Sequence, residues 1–189
     1  MSLVQQQYAE LKQVTASFES FLPRVEALLP LFAKCFQDGH KVLTCGNGGS
    51  AADALHMAEE FIGRYRGNRR SLPAISLSAD VTALTCIGND WGYDAIFSRQ
   101  IEGLGQPGDI LVVFSGSGNS ANLVKAIAAA QQRGMITVSL LGKTGGQAKD
   151  LSDHAIVIPT NNTARAQELH TWIMHVILEH IETLYPVES

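Results

Sequence analysis

From Leu3 to Phe36 the apolar residues recur at helical spacing. Val4, Tyr8, Leu11, Val14, Phe18 and Leu22 form one stripe, and Val25, Leu28, Leu29, Phe32 and Phe36 continue it. The pattern predicts helix over residues 3–36. Pro23 ends its first stretch or opens the next, and Pro30 kinks or breaks the second. Gly39 supplies the stop. From Lys41 the rhythm changes to short apolar runs between helical stretches. Strands are predicted at Val42–Cys45, Ala74–Ser78, Ile110–Ser115, Thr137–Leu141 and Ala155–Ile158. They are apolar along their length, as parallel strands covered on both faces are. Helices are predicted at Ala51–Gly63, Val81–Ile87, Tyr93–Leu104 and Ser120–Arg133, with a last one over Ala164–Leu184. Strands alternating with helices imply right-handed crossovers and a three-layer α/β domain on a doubly wound, parallel, five-stranded sheet. No repeat or linker interrupts it. One domain is expected over 1–189, with N-terminal helices in 1–38 and the α/β core in 41–189.

Composition narrows the function class. The 189 residues suit one core, and 46% hydrophobic with 17% charged residues is a globular balance. A net charge of −4 with no dense Lys/Arg patch argues against nucleic acid; the cluster from Arg64 to Arg70 is short and interrupted. Cys35, Cys45 and Cys86 match no CxxC or zinc ribbon. An odd count suits a reducing cytoplasm. Met1–Gln13 is polar and amphipathic, unlike a signal peptide, and no apolar run is long enough for a bilayer. A cytoplasmic protein, without membrane or nucleic-acid partner, is the expectation.

In such sheets ligands bind beyond the carboxyl ends of the strands. Two loops there suit an anion. Cys45-Gly46-Asn47-Gly48-Gly49-Ser50 follows the first strand, and Phe114-Ser115-Gly116-Ser117-Gly118-Asn119-Ser120 follows the third. Glycines let the backbone approach closely, hydroxyls donate, and each loop opens a helix whose N-terminus favours negative charge. Neither loop contains lysine, which suits a monophosphate better than a nucleoside triphosphate. Each loop alone is also compatible with a plain tight turn. Gly46-x-Gly48-x-x-Ala51 fits a dinucleotide fingerprint, but the acid required about 20 residues on is missing, since Asp80 lies much further along.

An acid and a base are also at hand. His56 and Glu60 stand four apart on one helix face, and the last helix carries Gln167, Glu168, His170, His175 and His180. On spacing alone these are equally compatible with solvated pairs or interior histidines.

The pair CGNGGS and FSGSGNS, with Asn89-Asp90 between them and TARAQELH near the end, resembles the SIS (sugar isomerase) domain. Within it the chain is similar to the phosphoheptose isomerases, over nearly its whole length. The helix Leu55-His56-Met57-Ala58-Glu59-Glu60-Phe61-Ile62-Gly63-Arg64-Tyr65 fits their pattern. The resemblance implies a flavodoxin-like SIS fold and an aldose–ketose isomerase. It would interconvert sedoheptulose 7-phosphate and D-glycero-D-manno-heptose 7-phosphate through a cis-enediol, in heptose precursor biosynthesis. Carried over by motif, the catalytic pair is Glu60 and His175. Substrate contacts are Asn47, Gly48, Gly49, Ser50, Glu60, Asn89, Asp90, Ser115, Gly116, Ser117, Ser120 and Gln167. A zinc site is implied on His56, Glu60, Gln167 and His175, and a homotetramer with sites at subunit interfaces. Two departures stand out: Gly116 replaces a common threonine, removing a hydroxyl, and Ala166 replaces isoleucine. Other readings are a non-catalytic SIS regulator or protein-binding adaptor, in which the acid and last histidine would be lost, or an isomerase of another sugar phosphate.

Overall fold

In the computed structural model residues 1–185 are described; the last four positions of the expected 1–189 domain lie outside the described residues. The strands are β1 (Val42–Gly46), β2 (Ala74–Ser76), β3 (Ile110–Ser115), β4 (Ile136–Leu141) and β5 (His154–Val157). They form one parallel sheet in the order β2-β1-β3-β4-β5. Every residue of β1 and β3 is buried, which is why both read as unbroken apolar runs. Side chains alternate between two cores. Ile110, Val112 and Phe114 enter one, Leu111 and Val113 the other.

The helices are α1 (Leu3–Phe18), α2 (Leu22–Glu26), α3 (Leu29–Gln37), α4 (Gly49–Ile62), α5 (Val81–Trp91), α6 (Ser98–Leu104), α7 (Ala121–Gln132), α8 (Gly146–Leu151) and α9 (Thr163–Leu184). The first four and α9 cover one face, around Phe18, Phe32, Met57, Phe61 and Ile173. Helices α6, α7 and α8 cover the other, around Ile101, Ile127 and Ala148. The strand order is the flavodoxin-like one.

The two N-terminal prolines break the helix as expected, and several other local expectations are corrected. The N-terminal stretch is three helices, because Pro23 and Pro30 each sit in the first turn of a new one. Only the later part of its stripe is buried: Val14 and Phe18 are in the core, while Val4 and Tyr8 are exposed. The stretch predicted as helix over Tyr93–Leu104 starts as a single 3-10 turn, Tyr93–Ala95, and becomes α-helical only at Ser98. Gly92, at φ +86°, separates it from α5. Helix α8 was not expected, since six residues are too few to show a period. Strand β2 ends at Ser76 instead of Ser78, although the Leu77 N–H still donates to the Thr44 carbonyl at 2.8 Å. Among the described residues no helix is long and apolar enough to cross a membrane.

Candidate active site

The chain leaves β1 for β2 on one side and returns to β3 on the other. The topological switch point therefore lies between β1 and β3. A cavity of about 270 Å³ opens there. Asn47, Gly49 and Ser50 line it from the first loop, and Ser115, Gly116, Ser117 and Ser120 from the second. Both loops of the sequence argument thus meet in one pocket. Gly48, at φ +57°, takes the left-handed turn that opens α4 and offers no side chain to cap it. Ser120 occupies the cap position of α7 but makes no capping bond. No side chain therefore covers the first N–H groups of either helix, and both face an incoming anion. The Ser115 hydroxyl oxygen accepts from the Gly118 N–H at 2.9 Å, and that of Ser117 from the Asn119 N–H at 3.3 Å. Each keeps its own proton to donate.

Two lining residues come from outside these loops. Lys143, after β4, brings a cation to the pocket wall. The absence of lysine from the two loops therefore does not leave the pocket without one. The glycines at 142, 145 and 146 around it were the signal for a third loop. Thr163, the first residue of α9, also lines the cavity. A Cβ at Gly116 would come within 2.7 Å of the Thr163 methyl and 3.2 Å of its hydroxyl. The space of the missing residue-116 side chain is thus filled by Thr163, which brings its own hydroxyl.

Helices α4 and α9 run side by side in the same direction. The Gln167 amide lies against Gly49, where a Cβ would strike it. Four residues on, the Thr171 hydroxyl donates to Asp53 at 3.5 Å. Further along, the His56 and His175 rings meet edge to face at 5.4 Å between centroids. His56 Nε2 stands 3.1 Å from Glu60 Oε1, and the Tyr65 ring lies 5.2 Å from His175. Glu60 is held from behind. The Arg69 guanidinium, almost wholly buried, donates to the Glu60 carbonyl at 2.6 Å and to that of Phe61 at 2.9 Å. Glu182 accepts from the N–H groups of Tyr65, Arg66 and Gly67, fixing the loop beside His175.

Burial, reinforced by neighbouring His56, holds His175 below the ordinary histidine value; Glu60 opposes this. It is therefore neutral near pH 7. Burial pushes Asp53 up to about 6, and its Oδ2 has no partner among the described residues. His56, Glu59 and Glu60 bring ligand atoms within 4.8 Å of one another; Glu59 was not expected among the ligands.

His56, Glu60 and His175 are thus brought together, and Gln167 is not with them. It stands eight residues before His175, about 12 Å along the helix, at the phosphate-type pocket. Asn89 and Asp90 are exposed at the end of α5, bonded to each other at 2.7 Å, and outside the pocket wall.

The SIS domain family model matches residues 7–142. A phosphoheptose isomerase of Nitratiruptor sp. is 54% identical over 142 residues, 75% of this chain and 76% of the relative. The chain belongs to the phosphoheptose isomerases of the SIS-domain family. The structure of a phosphoheptose isomerase from Neisseria gonorrhoeae superposes with a TM-score of 0.90 at 38% identity, covering 95% of this chain and 97% of that one. A phosphoheptose isomerase from Francisella tularensis gives 0.92 at 30% identity, covering 95% and 96%. The N-terminal helices are therefore part of the fold these isomerases share.

Proposed function

We infer that the chain is a phosphoheptose isomerase, converting sedoheptulose 7-phosphate to D-glycero-D-manno-heptose 7-phosphate for heptose precursor biosynthesis. The observation that carries this is the convergence of Glu60, His56 and His175 on the two helices whose N-termini border the phosphate pocket. The 7-phosphate binds the open helix N-termini, the serine hydroxyls and Lys143. Glu60 takes a proton from C1 of the ketose and returns it to C2. Neutral His175 serves the oxygens: as C1 loses its proton O2 gains one, and O1 gives one up as the aldehyde forms. Proton and electron counts balance through the cis-enediol. His56 orients the Glu60 carboxylate.

His56, Glu60 and His175 suit a zinc ion, whose usual catalytic set is three protein ligands and an open position. A zinc ion held by these residues would supply Lewis-acid polarisation of the sugar's carbonyl. Gln167 is the fourth candidate ligand, though glutamine is a weak one.

We assign the site to a subunit interface in a homotetramer. Gly49 and Glu60 are eleven residues apart, about 16 Å along α4. The eight bonds from C1 to phosphorus in an extended heptose phosphate reach only about 10 Å. The backbone separation of one chain's pocket and its own Glu60 exceeds that length, which favours a pocket supplied by a second copy. A second copy that brings its pocket to this Glu60 brings Gln167 too. Helix α5 supports the same reading: it contains Val81, Leu84, Ile87 and Trp91, yet buries no residue within the chain. Phosphosugar chemistry and the exposed Cys86 thiol suit the cytoplasm.

The test is turnover of sedoheptulose 7-phosphate, beside pentose and hexose phosphates, before and after chelation and zinc return. Glu60→Gln and His175→Gln each lower kcat by about 10²–10⁴-fold. Near-normal turnover in Glu60→Gln sinks the mechanism.

A further inference from the structure

Asn47 and Asn122 are 75 residues apart in sequence and form a reciprocal amide pair. Asn47 Nδ2 donates to Asn122 Oδ1 at 3.0 Å, and Asn122 Nδ2 returns a bond to Asn47 Oδ1 at 2.9 Å. The Tyr93 hydroxyl adds a third, donating to Asn47 Oδ1 at 2.9 Å. Both lone pairs of that oxygen are then occupied, and Nδ2 keeps one free N–H. The Asn47 side chain offers substrate no more than this.

Asn122 is 2% exposed and sits in the first turn of α7. Asparagine is a poor helix former, and a buried amide is costly unless bonded. Its placement follows from the partner it reaches. Asn47 precedes α4, and Asn122 is two residues beyond Ser120, so the pair ties together the two helix starts that face the phosphate. Asn47 also borders a second, more apolar cavity of about 350 Å³ with Leu84, Thr85 and Tyr93. Asn47 lines both that cavity and the phosphate pocket, with Asn122 behind it. Through Tyr93 the amide knot also anchors the turn that follows Asn89 and Asp90.

We propose that Asn122 is a positioning residue for phosphosugar binding: its amide pair with Asn47, braced by Tyr93, sets the gap between the N-termini of α4 and α7. It touches the substrate's partner instead of the substrate. The proposal rests on the phosphosugar reading of this pocket.

The test uses the full-length assembled protein. Inorganic phosphate binding is measured by calorimetry, beside kcat and KM for sedoheptulose 7-phosphate. The variants are Asn122→Ala, Asn47→Ala, the double variant and Tyr93→Phe. In Asn122→Ala, phosphate binding weakens and KM rises about tenfold, while kcat stays within about threefold. The double variant is no weaker than the worse single one, because both remove the same knot. Tyr93→Phe loses one exposed hydroxyl and weakens phosphate binding about two- to threefold. Unchanged phosphate binding in Asn122→Ala, or fully additive losses in the double variant, overturns the proposal. If Asn122→Ala does not fold, Asn47→Ala and Tyr93→Phe decide, and unchanged binding in both overturns it. A wild-type protein that binds phosphate without turning over the heptose refutes the isomerase reading alone, since the phosphate measurements still judge Asn122.

Discussion

Lys143 has φ +52°, the only non-glycine residue in the left-handed region among those described. A side chain there costs about 1–3 kcal/mol, and such strain persists where the surroundings enforce it. Here the Lys143 N–H donates to the Thr160 carbonyl at 2.9 Å, which fixes the backbone at the pocket wall. Lys143→Ala should raise KM for the phosphosugar roughly tenfold with kcat little changed. Lys143→Gly should stabilise the fold slightly by relieving the strain while losing the same affinity. Steady-state kinetics and thermal unfolding of the two variants separate charge from strain, and an unchanged KM in both removes Lys143 from the phosphate site. The loop that carries it was not singled out, because its glycines flank a lysine and threonine in place of a run of hydroxyls. Thr163 was missed for a different reason: its nearness to Gly116 is a contact between residues 47 positions apart.

Helix α9 does several tasks along its 22 residues. Its first turn reaches the phosphate pocket, its middle carries His175, and Glu182 near its end holds the loop 65–67. Its apolar face was legible from spacing, and its predicted start and end fall within one residue of those observed. The task of each histidine was not legible. His170 is fully buried, lies 6.2 Å from the Phe114 ring, and faces the Leu141 backbone without a well-formed hydrogen bond to either nitrogen among the described residues. Burial pushes it down to about 4. Its folded value is depressed, so the unfolded chain binds the extra proton between about pH 6.5 and 4. Stability is then lost as pH falls through that window, by about 3 kcal/mol in total. His170→Leu should flatten this part of the stability–pH curve. Denaturant unfolding at pH 7, 5.5 and 4.5 reads it, and an unaltered slope would show that His170 is not its source.

At the scale of the whole molecule, α5 is the element that one chain leaves unfinished. Val81 is 68% exposed and Trp91 54%, so apolar side chains at both ends of α5 lie open to water while Leu84 and Ile87 pack against the core. A Val81→Asp change is cheap in a monomer and costly in an interface. It should dissociate the proposed tetramer and lower activity at least about tenfold, while circular dichroism stays unchanged. Light scattering with parallel assays checks this; a variant that remains tetrameric and active excludes α5 from the interface. The sequence by itself determined the fold class, all five strands and the two anion loops, because buried parallel strands and glycine-rich helix starts are local patterns. It also placed His56 and Glu60 on one face, since i and i+4 always share one. Only the tertiary structure decided that both loops open on one pocket, that Lys143 and Thr163 complete it, and that Asn47 is bound to Asn122. It alone set His175 beside His56 and left Gln167 with the phosphate pocket two turns away. The physical reason is the same each time. Periodicity encodes which face of an element is buried, whereas the pairing of faces depends on contacts between residues far apart in the chain.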